Sequence, residues 1–417
     1  MGLLFIPMVQ QFTHFSNVIK LNGYVKNIEF PALNIDSWFG ETFQQKVEKN
    51  LSQKFGFANS FIRLQNQIQF SLFKVAKANG VIIGKKNYLY EKSYIDAYLG
   101  NDFLGKETLE KQFSKLQTLK DSLNNNGVKI LLVYAPGKGS FYPEFIPDKF
   151  ITEKKITNLD YSLRIADSLR LDYINMSSWF IKMKDTSQFC LYPKTGIHYS
   201  FYGARLALDT IVNYCRLNYK LDLPEINWSK IELNNKLKDT DRDIERGMNI
   251  IQELDNFAMP YQKIKVGKQS ENTPKLIVIA DSYYWQLHNM GMSKNIFKEG
   301  QFWFYNNQIY GNKDEKWVKN INLKKELLAQ NLILLLCTEP VLKRQYWEFI
   351  DMAYDAFANP QQNNFKTEIA DQVAKIKQNK SLLESIKTKA QKRNIPLDSM
   401  IMLDAEYIIQ QRHKDLK

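Results

Sequence analysis

Three short aliphatic runs constrain this chain most: Val128–Tyr134, Lys275–Ala280 and Asn331–Cys337. A strand with one face in water alternates polar and apolar residues. A strand that stays apolar is covered on both faces, as in a parallel sheet sandwiched by helices. Helical periodicity separates the runs, over Lys106–Asn125 ahead of the first and Tyr202–Cys215 before the second. Leu171–Asn175 reads as a further, shorter strand. Strands alternating with helices specify an α/β domain with a doubly wound, mostly parallel sheet and flanking helices.

Outside that pattern, residues 1–40 read as an extended lead-in with Pro7 and Pro31. The apolar stretch Gly2–Val9 is far shorter than the ~20 residues of a membrane span. It lacks the charged start and cleavage site of a secretory signal, which leaves the remnant of a membrane anchor as its functional reading. From Trp38 to Lys77 the pattern is helical, and Phe61, Leu64, Ile68, Leu72 and Phe73 form an expected core-facing stripe. Val81–Tyr90 reads as a hairpin around Gly84-Lys-Lys-Asn87. After Pro360 the composition turns to Lys, Gln, Glu and Ile with helical periodicity, broken at Asn394–Pro396. The expected organisation is a lead-in (1–40), one catalytic α/β domain (41–358) and a helical C-terminal tail (359–417).

With 44% apolar and 13% aromatic residues among 417, the chain can bury a large core. Its net charge of +13 fits either a groove for an anionic polymer or lysines scattered over the surface. The basic residues are spread along the chain, with short clusters such as Lys154-Lys155 and Lys343-Arg344. No zinc-finger, RNA-recognition or zipper pattern accompanies them, so nucleic acid is not an expected partner. Cys190, Cys215 and Cys337 lack metal-ligand spacing and are too few and odd in number for a disulfide framework. Cys337 reads as core; Cys190 and Cys215 would be free to pair in an oxidising compartment. No metal and no cofactor is expected.

The sharpest local feature is Leu276-Ile-Val-Ile-Ala-Asp-Ser-Tyr-Tyr284. Asp281 and Ser282 stand at the carboxyl end of a buried strand, just before a helix, where ligands bind in open α/β sheets. Ser282 either presents its hydroxyl to the crevice, with N–H groups at the helix start able to hold an oxyanion, or one of the two residues caps the helix. Of four histidines, His14 lies in the lead-in, His413 in the tail, and His288 on the helix after Ser282. His198 remains, on the loop Lys194-Thr-Gly-Ile-His-Tyr-Ser-Phe-Tyr-Gly203, as a general base or as a histidine bonded near a helix start.

Taken together, the strand ending in Asp281-Ser282 and the loop His198-Tyr-Ser-x-x-Gly203 resemble the SGNH hydrolase-like domain of the bacterial alginate O-acetyltransferases of the AlgJ/AlgX type. The resemblance spans roughly residues 35 to 350. It takes in Ile83-Gly-Lys-Lys-Asn-Tyr-Leu-Tyr90, and Ala135-Pro-Gly-Lys138 with Phe141-Tyr-Pro143. It implies an SGNH/flavodoxin-like fold with Ser282 as nucleophile and His198 as its base. It implies transfer of acetyl through an acetyl-serine to a polysaccharide or oligosaccharide acceptor. It further implies a donor supplied through a membrane-bound acyltransferase and an extracytoplasmic location, with an N-terminal segment able to anchor the chain to the inner membrane. A carbohydrate acetylesterase and a non-catalytic polysaccharide-binding or assembly subunit are the rival readings. In the family pattern the histidine sits in Asp-x-His; here Gly196 takes the aspartate's place. The orienting group must then be a backbone carbonyl, an acid from another segment, or nothing at all.

Asp281 and Tyr283 are expected in structural or oxyanion-adjacent positions. Lys138 and Tyr305 are candidates for substrate binding, Lys138 because its loop leaves a strand's carboxyl end, Tyr305 because Phe302-Trp-Phe-Tyr305 offers rings for a sugar. Three motifs fail. Pro136-Gly-Lys-Gly-Ser140 lacks a phosphate-loop glycine, and there is no G-x-S-x-G. Asp239-Thr-Asp-Arg-Asp243 has the alternating acids of a calcium loop, with Ile244 where the turn glycine belongs.

Overall fold

The computed structural model describes residues 5–23, 29–32, 38–39, 41–311, 316–358, 360–393 and 395–415. A hairpin, β1 (Val81–Ile83) and β2 (Leu89–Glu91), precedes β3 (Lys129–Ala135) and β4 (Tyr173–Asn175). Strands β5 (Ile226–Trp228), β6 (Glu232–Asn234), β7 (Met259–Tyr261) and β8 (Ile264–Val266) pair antiparallel as β5–β8 and β6–β7. Then follow β9 (Lys275–Ala280), β10 (Lys298–Phe304), β11 (Gln308–Tyr310), β12 (Lys316–Trp317) and β13 (Leu332–Thr338).

The main sheet runs β12-β11-β10-β9-β13-β3-β4. Its five strands from β10 to β4 are parallel, and β11 and β12 close one edge antiparallel. The alternate residues of the aliphatic runs fill two separate cores. Leu131, Val133, Leu276, Val278, Leu334 and Leu336 pack on one face with the helix Phe201–Tyr219. Ile130, Leu132, Ile277, Ile279, Ile333 and Leu335 pack on the other with the helices Lys106–Asn124 and Phe349–Ala358. Two covered faces are why these strands carry no polar alternation.

Two expectations change in the N-terminal region. Pro7 starts a helix, Ile6–Thr13, instead of extending the chain; its missing N–H falls in the first turn, where no intrahelical bond is lost. The helix Ala58–Phe73 forms, yet its apolar stripe faces outward, with Phe61 49% and Leu72 72% exposed. The helix docks instead through Phe70, which is buried in the main core, and through hydrogen bonds. Asn66 is buried and donates to the Met248 carbonyl, and Arg63 donates to the carbonyls of Ile250 and Lys20. Among the described residues no helix is long and apolar enough to cross a membrane. Residues 1–4 of the lead-in lie outside the described residues.

At the other end, helices Pro360–Gln378, Lys380–Arg393 and Leu397–Asp415 share a small core of their own around Ile376, Ile386, Ala405 and Ile409. Cys190, Cys215 and Cys337 are free thiols; Cys215 and Cys337 are buried.

Candidate active site

The carboxyl ends of β9, β10 and β13 open into a cleft of about 830 Å³. Asp281, Ser282, Tyr305 and Thr338 line it from the sheet; Glu91, His198 and Asp243 line it from elsewhere. The turn after β9 is held by Asp281, which is 1% exposed. One carboxylate oxygen accepts from the Tyr283 N–H at 2.9 Å, the other from the N–H and hydroxyl of Thr338 at 2.8 and 2.7 Å. Asp281 therefore ties the serine turn to the end of β13.

The hydroxyl of Ser282 lies 2.9 Å from Nε2 of His198. On the far side of the ring, Nδ1 lies 2.5 Å from Oδ2 of Asp243. Asp243 opens the short helix Asp243–Met248. Its other oxygen accepts from the N–H groups of Ile197 and Ile244, both at 2.8 Å, which fixes the plane of the carboxylate. Burial alone lowers the His198 pKa, but the charge and hydrogen bond of Asp243, with smaller help from Asp281 and Glu91, carry it above the ordinary histidine value.

Gly196, which stands where the resembled family pattern has an aspartate, has a steric reason. A Cβ there would lie 2.1 Å from the Thr240 carbonyl oxygen and under 3 Å from the Asp241 backbone. The acidic segment 239–243 occupies that space and delivers a carboxylate to the ring from outside the histidine's own loop. The sequence motif that fails as a calcium loop is thus the source of the acid. Among the described residues no cluster could hold a metal ion.

The serine and histidine segments are clamped together beside the reacting atoms. The Tyr283 hydroxyl donates to the Ile197 carbonyl at 2.5 Å, and the Tyr199 hydroxyl donates to the Tyr283 carbonyl at 2.9 Å. The N–H groups expected to receive an oxyanion are largely engaged: Tyr283 to Asp281 Oδ1, Tyr284 to the Asp281 carbonyl, Trp285 to the Ser282 carbonyl. The Ser282 N–H instead faces the phenol of Tyr305. Burial raises the Tyr305 pKa, as does the Asp281 charge, against hydrogen bonds from the side chain and backbone of Ser282. His288 sits away from this arrangement, its ring against Trp285 and Phe302.

Lys138 is not on the cleft wall. It is completely buried, and its ammonium nitrogen donates to the carbonyls of Lys194 and Gly196 at 2.8 and 2.5 Å. The Pro136-Gly-Lys turn folds beneath the histidine loop, so the lysine holds that loop from below instead of drawing a sugar from solvent. Burial pushes its pKa down to about 7. The sign follows: between pH 7 and the ordinary lysine range near 10.5 the unfolded chain binds a proton that the folded protein does not. Stability of the native protein is expected to rise with pH through that window relative to Lys138→Met. Urea unfolding of both proteins at neutral and alkaline pH checks it.

A serine turn at the end of a parallel strand, with a histidine and an aspartate brought to it by separate segments, fits an SGNH hydrolase-like fold. Residues 81–237 match the family model described as "SGNH hydrolase-like domain, acetyltransferase AlgX". The matched segment includes Lys138 and His198; Asp243 and Ser282 lie beyond its end. A 102-residue stretch is 28% identical to the "probable alginate O-acetylase AlgJ" of Pseudomonas syringae pv. tomato, covering 24% of this chain and 25% of that protein. The chain thus spans about a quarter of the length of this relative. The O-acetyltransferase domain of Pseudomonas putida AlgJ superposes with a TM-score of 0.44 at 13% identity, covering 66% of this chain and 99% of that one. Pseudomonas aeruginosa AlgX gives 0.45 at 11% identity, covering 67% and 68%.

Proposed function

We propose that the protein is a serine-dependent O-acetyltransferase acting on a carbohydrate hydroxyl. The contact that supports this most is Ser282 Oγ to His198 Nε2, with Asp243 behind the ring. In the first half-reaction His198 takes the Ser282 proton while Oγ attacks the acetyl carbonyl. The Ser282 N–H and the Tyr305 hydroxyl are the groups placed to donate to the developing oxyanion. The leaving group departs with the proton from His198, giving acetyl-Ser282. An acceptor hydroxyl then yields its proton to His198 and attacks the ester; the new sugar ester leaves as Ser282 recovers its proton. Water in the acceptor's place gives acetate. The same reading places the acceptor polysaccharide, and an acetyl donor delivered by a membrane-bound acyltransferase, outside the cytoplasm.

A fluorophosphonate probe tests the nucleophile. Ser282 is expected to label, and labelling should vanish in Ser282→Ala and collapse in His198→Ala. Labelling that survives in Ser282→Ala would sink the proposal. Labelled acetyl transferred to an oligosaccharide, weighed against acetate released, then measures transfer over hydrolysis.

A further inference from the structure

Four consecutive residues after β13, Gln345, Tyr346, Trp347 and Glu348, hold left-handed backbone, with φ of 49°, 54°, 53° and 63°. None is glycine, asparagine or aspartate, the residues that visit this region readily, and even those visit it singly. The turn after β10 repeats the conformation at Tyr305 and Asn306, with φ of 51° and 48°. Asparagine suits such a hairpin turn; a bulky aromatic does not. The two turns are tied together, because the Asn306 side-chain amide donates to the Trp347 carbonyl at 2.9 Å. Tyr346 enters the second core and is 2% exposed. Its neighbour Trp347 instead lines the cleft of Ser282 and His198, as does Tyr305. Their ring centroids lie 5.1 Å apart with planes at 57°, and Phe304 backs the Tyr305 ring at 4.1 Å. Tyr305 is nonetheless 39% exposed and Trp347 only half-buried. Strain of this kind persists where surrounding structure holds a side chain ready for a ligand.

The aromatic wall stands beside the reacting atoms. The Tyr305 N–H donates to the Ala280 carbonyl at 3.0 Å, which fixes Tyr305 at the end of β9, two residues before Ser282. An acceptor whose hydroxyl reaches His198 Nε2 occupies the cleft that these rings line. The acetyl end of the donor is only a methyl and a carbonyl, too small to cover two rings. A pyranose matches them: its C–H face is apolar, and its hydroxyls lie around the edge, free to meet the polar groups of the cleft.

Resting on the acyl-serine reading, we infer that Trp347, paired with Tyr305, is a specificity-determining residue that receives the ring face of the acceptor sugar. The site thereby selects a cyclic sugar over an open-chain polyol. Trp347 is the ring to change, because the Tyr305 hydroxyl already faces the oxyanion.

The test uses the whole chain, p-nitrophenyl acetate as donor, and the methyl pyranosides of glucose, mannose and galactose pooled against glucitol as acceptors. Mass spectrometry of the esters gives the pyranoside-to-glucitol ratio, which cancels any change in acyl-serine formation; p-nitrophenol release follows that step separately. The native protein is expected to favour the pyranosides, and Trp347→Asn to lose about tenfold of that preference. Asparagine accepts left-handed backbone, so the turn can outlive the ring. Trp347→Leu keeps apolar bulk without a flat face; it should lose the preference too, and serves if the asparagine variant does not fold. Trp347→Phe keeps a ring and should recover most of the ratio. A native ratio near one, no ester of any pyranoside, a ratio unchanged in the ringless variants, or an effect confined to p-nitrophenol release overturns the inference. Failure of native Ser282 to label with the fluorophosphonate removes the acyl-serine reading itself, so the two failures are separable.

Discussion

Asp243→Asn should reduce kcat by about 10⁴-fold while leaving the fold intact. The size comes from the tautomer. Oδ1 of Asp243 is held by the N–H groups of Ile197 and Ile244, so an asparagine will keep its oxygen there. Its amide NH2 must then face Nδ1 of His198, where Oδ2 now stands. A donor at Nδ1 leaves the proton on Nε2, the nitrogen that has to accept from Ser282. The residual turnover should show an acid limb at lower pH than the native protein, because the chief group raising the His198 pKa is gone. On the proposed mechanism the base is neutral His198, and its raised pKa is expected to put the loss of activity on acidification above the ordinary histidine range. A variant within tenfold of native kcat would show that Asp243 is not the orienting acid.

Restoring the family's Asp-x-His pattern by Gly196→Asp should destroy the site rather than improve it. The obstacle is the first side-chain atom, which would meet the Thr240 carbonyl at 2.1 Å and the Asp241 backbone beyond it. Backbone cannot swing aside as a flexible side chain does, so the cost should reach about 3 kcal/mol or more, the upper end for overpacking. Any relief moves either the segment carrying Asp243 or the loop carrying His198. A displacement of about 1 Å between such groups costs on the order of 10²-fold in rate. Gly196→Ala is expected to do comparable harm, since the clash belongs to the Cβ and not to the charge. Thermal unfolding and esterase assays on both variants check this. An aspartate variant of native stability and full activity would contradict the packing described here.

These two residues show where sequence reasoning stopped. The sheet was legible because strands covered on both faces write their burial into uninterrupted aliphatic runs. Ser282 and His198 were legible because each follows a recognisable strand or loop. Asp243 was not. Its distance in sequence from the ring is bridged only by tertiary packing, and its alternating acids resemble a different motif. The available signal was Gly196 itself: a missing side chain beside a candidate base marks a close approach by another backbone. Lys138 misled because a lysine after Pro-Gly reads as a solvated loop, whereas the turn tucks it under two carbonyls. The stripe from Phe61 to Leu72 misled for another reason. Periodicity identifies a helix and its apolar face, but Ala58–Phe73 docks through Phe70 and through partners for Asn66 and Arg63, off the expected stripe.

Because Asp243, His198 and Ser282 arrive on three separate segments, no local fragment of the chain holds all three. Short-range structure can form early, as the helices and the hairpin do, without producing a single competent centre. Turnover therefore reports completion of the whole tertiary assembly. In a denaturant titration it should disappear no later than the loss of the sheet, and on refolding it should return last.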